Sequence, residues 1–308
     1  MHLVHDTTVK NAKLWLFLLL VIISATAQGL EFDMTHWRDM GDDVYQATLR
    51  RIQPGDTLKY TLRGTLNIFN IEGRLKKAPG AEDSFSENFL LDNQRVLQLP
   101  SSIMLAHTLV NFMEGHDAFE KAGINVVKVY PESDPENFII KEYVPHISFR
   151  ALVYLLVDNN SGFVSYELHR RVSQAEKEAM KVETIAFIQS LAAITEAHDF
   201  GIQQLIYSLK SNKPMVLDFL GVPKFFDPSS SEPQHNLLET WTDFETAKQY
   251  GEDMEGMHHI SLKAFKVISS IYEQQRVNLA TAFRCSVDLN LAAPKPGPVQ
   301  HPIGPKGT

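Results

Sequence analysis

The sequence predicts a mixed α+β fold, with strands concentrated in the first half of the chain and helices in the second. Apolar and polar residues alternate in short runs between residues 43 and 71, and turn signals such as Arg63-Gly64 separate the runs, which is typical of antiparallel hairpins. The predicted strands are 43–49, 58–62 and 66–71. Beyond residue 144, apolar residues recur at helical spacing. The predicted helices are 148–157, 173–200 and 256–278.

The segment between these two regions carries both kinds of signal. Residues 86–97 have apolar positions that favour a helix, and Ser102 offers an N-terminal cap for a second helix. The apolar positions of that second helix are Leu105, Leu109, Phe112 and Met113. Residues 124–130 and 138–144 are strand-like, and a short apolar strand over residues 214–219 contains an acid near its end.

Composition excludes several classes of function. The chain has 308 residues, which allows one large domain, and its net charge is -8. Binding to the phosphate backbone of a nucleic acid needs clustered Lys and Arg, and this acidic chain has no such cluster. We therefore expect no nucleic-acid binding. Cys285 is the only cysteine, which excludes an internal disulfide bond and a thiolate metal site.

The N-terminus has the three parts of a secretory signal peptide. A positively charged start that includes Lys10 precedes the unbroken apolar run 14–23, and small residues follow with alanines at 25 and 27. The apolar stretch is shorter than the roughly 20 residues that span a bilayer core. We therefore expect cleavage after Ala27, with an uncleaved membrane anchor as the alternative.

The expected organisation follows from these boundaries. Residues 1–27 are the signal peptide, 28–145 a strand-rich part with one long helix, and 146–291 a mostly helical part. Residues 292–308 are rich in Pro and Gly, which predicts a disordered tail. The expected location is secreted or periplasmic, with no membrane contact after cleavage.

Two blocks resemble the protein-kinase-like superfamily, which includes small bacterial enzymes that phosphorylate sugars, lipids and antibiotics. EGHDAFEKAGINVVKVY (114–130) and FIIKEYV (138–144) look like its helix C, fourth strand, fifth strand and hinge. EAHDFGI (196–202) followed by MVLDF (215–219) looks like its catalytic loop and metal-binding Asp-Phe segment. The resemblance implies a bilobal fold with a five-stranded antiparallel N-lobe and a helical C-lobe, and the use of ATP with Mg or Mn.

The resemblance also implies roles for individual residues. Asp218 would be the metal-binding acid, and Glu114 the helix glutamate that orients a phosphate-binding lysine, either Lys76 or Lys77. Glu142 and Tyr143 would flank the hinge beside the adenine. Each has a simpler interpretation, because a strand end, an exposed helix position or a surface lysine pair needs no ligand.

The catalytic loop departs from the family pattern, which reads His, any residue, Asp and then Asn five positions later. The corresponding stretch is residues 201–209, where Gln203 and Gln204 cannot accept a proton as a general base must. Asp199 is the nearest acid, and we place it before the expected turn. Asn212 is the candidate second metal ligand.

These departures favour a secreted pseudokinase over a divergent phosphotransferase, with weak or absent nucleotide binding and an unidentified protein partner or substrate. The alternative is an exported effector or interaction protein of unrelated α+β fold without a nucleotide site.

Histidine clusters offer a weaker metal hypothesis. His258 and His259 lie among acids at 252, 253 and 255. Adjacent helical residues point about 100° apart, whereas chelating pairs are three or four residues apart. The cluster therefore makes a poor metal site.

The signal peptide predicts the mass of the exported protein. Cleavage after Ala27 gives a product that begins at Gln28, which intact-mass spectrometry of secreted protein measures directly. A mass that retains residues 14–23 contradicts cleavage and supports an anchor.

Overall fold

The computed structural model describes residues 29–75, 85–92, 94–158, 162–198, 200–241 and 260–292. The predicted α+β class is confirmed, with strands dominating up to residue 142 and helices from residue 149. The proposed leader 1–27, the histidine pair at 258 and 259, and most of the C-terminal tail lie outside the described residues. No helix among the described residues has the length and apolarity needed to cross a bilayer.

A three-stranded sheet begins the fold. Its strands are β1 (Glu31–Asp33), β2 (Thr57–Leu62) and β3 (Thr65–Asn70), in the order β1-β2-β3, with β1 parallel to β2. The predicted strands 58–62 and 66–71 are confirmed. Arg63 and Gly64 have φ of 50° and 79°, the two left-handed residues of a type I′ hairpin turn.

Helix α1 (Asp42–Arg51) lies where a strand over 43–49 was predicted, and that prediction is wrong. Its acids lie in the first turn and its arginines in the last, which complements the helix dipole. Tyr45 and Leu49, four residues apart, are both buried. The run is short enough to fit the two-residue period of a strand or the 3.6-residue period of a helix. The helix forms because its spacing places these two side chains on one face.

A second, antiparallel sheet supplies the surface above the candidate site. It contains β4 (Gly73–Arg74), β5 (Ser86–Asp92), β6 (Arg95–Pro100) and β7 (Ile139–Glu142), in chain order. The predicted helix over 86–97 is wrong, because β5 and β6 form a hairpin with Phe89 facing Leu97. Beyond β7, Val129 forms an antiparallel bridge to Lys141, which adds a fifth extended segment to the sheet.

The two faces of β7 serve different cores. Phe138 and Ile140 belong to the apolar cluster around Trp37, Tyr45 and Tyr60, whereas Ile139 belongs to the larger cluster of the helical part. Strand alternation therefore directs Lys141 to the same side as Ile139, toward the helical part.

Helix α2 (His107–Lys121) follows β6 as predicted, but Ser102 does not cap it. The Ser102 hydroxyl accepts a hydrogen bond from Met104 N at 3.2 Å and so caps the turn before α2. A 3₁₀ turn over Ile103–Leu105 precedes it. Its buried stripe packs into the larger core and consists of Thr108, Leu109, Phe112, Gly115, His116 and Phe119.

The helical part contains β8 (His146–Ser148), α3 (Phe149–Asp158), α4 (Gly162–Glu167), α5 (Gln174–Leu191) and α6 (Leu262–Ala292). It also holds the hairpin β10 (Leu205–Ser208) with β11 (Lys213–Val216), and the pair β9 (Ile194–His198) with β12 (Leu220–Phe225). The helix predicted over 173–200 ends early, because residues 194–198 pair with β12 as a strand.

Helix α6 is anchored to the end of α5 by two polar side chains inside the core. Arg276 donates to the carbonyls of Ala192 and Ile194 at 3.4 and 3.1 Å, and the Tyr272 hydroxyl also bonds to Ile194 O. Burial raises the pKa of Tyr272 to about 12, so the hydroxyl stays protonated as a donor. These bonds tie α6 to Ala192, the C-cap of α5, and to Ile194, the first residue of β9.

The capping box of α5 predicts a pH dependence of stability. Hydrogen bonds from Arg170 and then Ser173 lower the pKa of Glu176 from 4.5 to about 2. A depressed pKa contributes stability above the unfolded value, and that contribution disappears as the pH falls toward 2. Glu176→Gln should therefore lower the urea midpoint at pH 7, with the difference from wild type vanishing near pH 2. Glu132→Gln, in an exposed turn, is the control, and a difference independent of pH contradicts the assignment.

Candidate functional site

A cavity of about 640 Å³ lies between the second sheet and the helical part. That volume is in the range of small-molecule sites. Its apolar lining comes from both sides, with Leu75 and Val96 from the sheet region and Leu205 and Leu217 from the helical part. The polar lining residues are Asn88, Lys141, Glu142, Tyr143, His146, Ser148, Arg150, Glu167, Gln203 and Asp218. Apolar surfaces on two opposing sides suit a flat aromatic ring.

Lys141 is the buried cation of this cavity. It is 5% exposed, and its Nζ lies 4.0 Å from Asp218 Oδ1 and 5.2 Å from the centre of the Phe112 ring. An N···O distance of 4.0 Å is an ion pair but not a hydrogen bond, so this carboxylate leaves the ammonium donors available. A buried lysine that keeps its donors toward a cavity is suited to an anionic ligand.

Asp218 lies just after the end of β11, and a backbone hydrogen bond to the turn before β10 fixes its position. Leu217 N donates to Gln204 O at 2.8 Å, which fixes the residue before Asp218 to the loop after β9. Phe219 N donates to Asp218 Oδ1 at 3.2 Å. The Asp218 side chain is 40% exposed. A half-exposed carboxylate at the mouth of a cavity is a suitable ligand for a hard divalent cation.

Phe219 packs the segment after Asp218 against α2. Its ring stacks on Phe112 at 4.8 Å and lies 4.6 Å from Phe119. Gly115 faces the same segment, where an added Cβ would lie 2.3 Å from Gly221 O and 2.5 Å from the Phe219 ring. The absence of a side chain at residue 115 therefore permits the close approach of α2.

The end of β7, at Glu142 and Tyr143, is tied to both parts of the protein. Tyr143 N donates to Gln94 O at 2.7 Å, which joins it to the β5–β6 hairpin. The Glu142 carboxylate pairs with Lys210 in the β10–β11 turn, and the hydrogen bond to Glu142 raises the pKa of Lys210. Glu142 thus bridges the sheet to the helical part.

The loop between β9 and β10 changes the expected register of the catalytic loop. Residues 201–209 were assigned as that loop, but residues 205–208 are β10. Strand β9 ends at His198, and the connection to β10 includes the 3₁₀ turn Ile202–Gln204.

The structure brings three of the predicted site residues, Glu142, Tyr143 and Asp218, to the cavity that Lys141 and Gln203 also line. It does not bring Glu114 there, because Glu114 is on the exposed side of α2. Asn212 is exposed at the tip of the β10–β11 hairpin, separated from Asp218 by a four-residue strand of about 13 Å. The metal role predicted for Asn212 therefore lacks a geometric basis. Lys76, Lys77 and Asp199 lie outside the described residues.

Sequence reasoning missed Lys141 and Phe112. On β6, Gln98 lies opposite Ile139, and Gln98 Nε2 donates to Ser86 Oγ at 3.0 Å. Lys141 is on the neighbouring strand β7, with Val96 opposite it. The available signal was a lysine directly after the apolar run from Phe138 to Ile140, within the same strand.

Comparisons with known proteins give fold similarity only. No protein-family profile and no curated protein matches the chain. Among solved structures, the chain is similar to ADP-bound aminoglycoside phosphotransferase APH(2'')-Ib, with 13% identity, 73% of this chain and 87% of that chain covered, and a TM-score of 0.34. The gentamicin complex of APH(2'')-IIa gives 15% identity, coverage of 78% and 84%, and a TM-score of 0.33. At these TM-scores we base no functional argument on the similarity.

The close approach at Gly115 predicts a cost for the smallest possible side chain. Gly115→Ala should lower the free energy of unfolding by about 1–2 kcal/mol. A Cβ 2.3 Å from a backbone oxygen places the overpacking cost in the upper part of its range of about 1–3 kcal/mol, and helix propensity returns about 1 kcal/mol. Urea denaturation measures the change. Gly41→Ala is the control, since an added Cβ there meets nothing within 4 Å. Unchanged or higher stability of the Gly115 variant contradicts the packing argument.

Proposed function

We propose that the cavity binds a nucleoside triphosphate with a divalent cation and that the chain is a divergent kinase-like phosphotransferase. The observation that carries the proposal is the buried Lys141 ammonium 4.0 Å from Asp218 at the edge of a 640 Å³ cavity. Phosphoryl transfer needs positioned charges more than covalent chemistry, and a lysine beside a metal-binding acid is the central pair.

The described residues fit such a ligand. The apolar surfaces of Val96 and Leu217 face the cavity from opposite sides, which suits a nucleobase. The Gln203 Oε1 atom is buried without a hydrogen-bond partner beside the same cavity. It would accept a hydrogen bond from a ligand hydroxyl or a metal-bound water. The cation, when bound, neutralises charge on the phosphates.

Each residue would have a separate role. Lys141 would donate to phosphate oxygens, held in place by Phe112 and by strand β7. Asp218 would hold the divalent cation. Asp199 would accept the proton of the substrate hydroxyl. Gln204 follows it by five positions, which is the spacing of Asp and Asn in the family pattern. In this arrangement Lys141 takes the function that we expected of Lys76 or Lys77, without a helix glutamate.

A pseudokinase is the second candidate, favoured by two observations. Helix α2 offers Lys141 the ring of Phe112 instead of a carboxylate, and Gln204 stands at the position of the family's metal-binding Asn. Such a protein would bind a nucleotide without transferring its phosphate. Export through residues 1–27 and an unidentified protein partner or substrate belong to either version of the proposal.

Lysine removal tests nucleotide binding. Lys141→Met keeps an apolar stem beside Phe112, and should weaken MgATP binding about tenfold or more, because a hydrogen bond to a charged group contributes about 1.5–3 kcal/mol. Isothermal titration calorimetry on the purified chain measures the affinity. Lys121→Met, at the exposed end of α2, is the matched control. Equal affinity of the Lys141 variant and wild type, or no MgATP binding by wild type, contradicts the proposal.

Labelled ATP separates the two versions. Autophosphorylation or transfer that falls about 10²- to 10⁴-fold in Asp199→Asn supports an active enzyme with Asp199 as the base. MgATP binding without any transfer by wild type supports the pseudokinase. Transfer that survives in Asp199→Asn at the wild-type rate contradicts the role of Asp199.

A further inference from the structure

His116 is a buried histidine that the nucleotide cavity does not use. Its side chain is 5% exposed, and it lies on α2. Its Nε2 is 2.8 Å from the carbonyl oxygen of Val127. A carbonyl only accepts hydrogen bonds, so Nε2 carries the proton, and in the neutral ring Nδ1 is left with a free lone pair.

The Nδ1 atom of His116 is buried without a hydrogen-bond partner. Two carboxylates flank it, since Asp117 Oδ1 and Glu120 Oε2 each lie 3.9 Å away. That separation is too long for a hydrogen bond. Among the described residues, no group forms a hydrogen bond with this buried nitrogen. Its lone pair is therefore available to a bound cation.

The three side chains match a compact cation site. His116 and Glu120 have the chelating spacing of four residues, and Asp117, although adjacent to His116 in sequence, places its Oδ1 atom 3.9 Å from Nδ1. One ligand atom from each residue lies within 4.8 Å of the others. Ligands about 2.0–2.2 Å from a tetrahedral Zn²⁺ are separated from one another by about 3.4 Å. Small rotations of the exposed Asp117 and Glu120 side chains close that difference, and a water molecule completes four-coordination.

The surroundings also resemble those of known metal-binding histidines. A ligating imidazole usually donates its other N–H to a carbonyl or a carboxylate, which fixes the ring and its tautomer. The Val127 carbonyl does this for His116. Imidazole is a typical ligand of Zn²⁺ and other divalent transition metals, whereas sites that consist only of oxygen ligands suit Mg²⁺ and Ca²⁺.

We propose that His116, Asp117 and Glu120 form a site for a divalent transition-metal ion, with Zn²⁺ as the expected occupant. The site is separate from the cavity and does not depend on the proposed function. Its ligand set is the His116 Nδ1 atom with one oxygen from each carboxylate.

Metal titration of the whole purified chain, after treatment with a chelator, tests the site. Isothermal titration calorimetry with ZnCl₂ should show a site whose affinity falls at least about tenfold in Glu120→Gln and in Asp117→Asn. Both residues are more than half exposed, at 59% and 62%, so neither change disturbs the core. Glu114→Gln is the matched control, an exposed glutamate on the same helix, and should leave the affinity unchanged.

Two further measurements define the occupant. Co²⁺ in place of Zn²⁺ should give visible absorption of a four-coordinate site that is lost in the double variant Asp117→Asn/Glu120→Gln. Asp218→Asn should leave this signal intact, which distinguishes the site from a metal in the cavity. Zn²⁺ binding that is equal in wild type and the double variant, absence of Zn²⁺ binding, or equal competition by Mg²⁺ overturns the proposal.

Discussion

The contact between α2 and the segment after Asp218 is the constraint on which the rest of the site depends. Phe219 lies between the rings of Phe112 and Phe119, and Gly115 allows the two backbones to approach. Aromatic pairs of this kind contribute about 0.5–1.5 kcal/mol each beyond their buried area. Helix α2 is joined to the sheet strand β6 by a short turn. This contact therefore fixes the position of the sheet relative to the helical part. Lys141 and Asp218 come from opposite sides of it, and their 4.0 Å separation depends on that packing.

Local sequence signals predicted the elements whose geometry is set within a few residues. The β2–β3 hairpin follows from Arg63-Gly64, since a type I′ turn requires left-handed residues that few sequences provide. Ser102 marks the start of the next helical segment, where it caps the 3₁₀ turn Ile103–Leu105 that leads into α2. Residues 43–49 and 86–97 were assigned to the wrong element, because short amphipathic runs fit both periods and tertiary contacts decide between them. Tyr45, for example, donates to the carbonyl of Pro100, 55 residues away.

The site was predictable only in part, for a similar reason. Glu142 ends β7, Tyr143 follows it, and Asp218 lies two residues after β11, so a strand assignment alone locates all three. Lys141 required the pairing of β7 with β6 and the distance to a residue 77 positions later, which no local pattern contains. The helix predicted over residues 173–200 was too long because residues 194–198 pair with β12, a contact that local spacing does not reveal.

The position of Lys141 has a consequence for control of the site. In the arrangement that the family resemblance implies, a helix glutamate orients the phosphate lysine through an ion pair. Here Lys141 is carried by β7, and its contact with α2 is the face of the Phe112 ring. Attraction between a cation and a ring face depends on the distance to the ring centroid rather than on one hydrogen-bond direction. A small displacement of α2 would therefore change the surroundings of Lys141 without breaking an ion pair between the helix and that lysine.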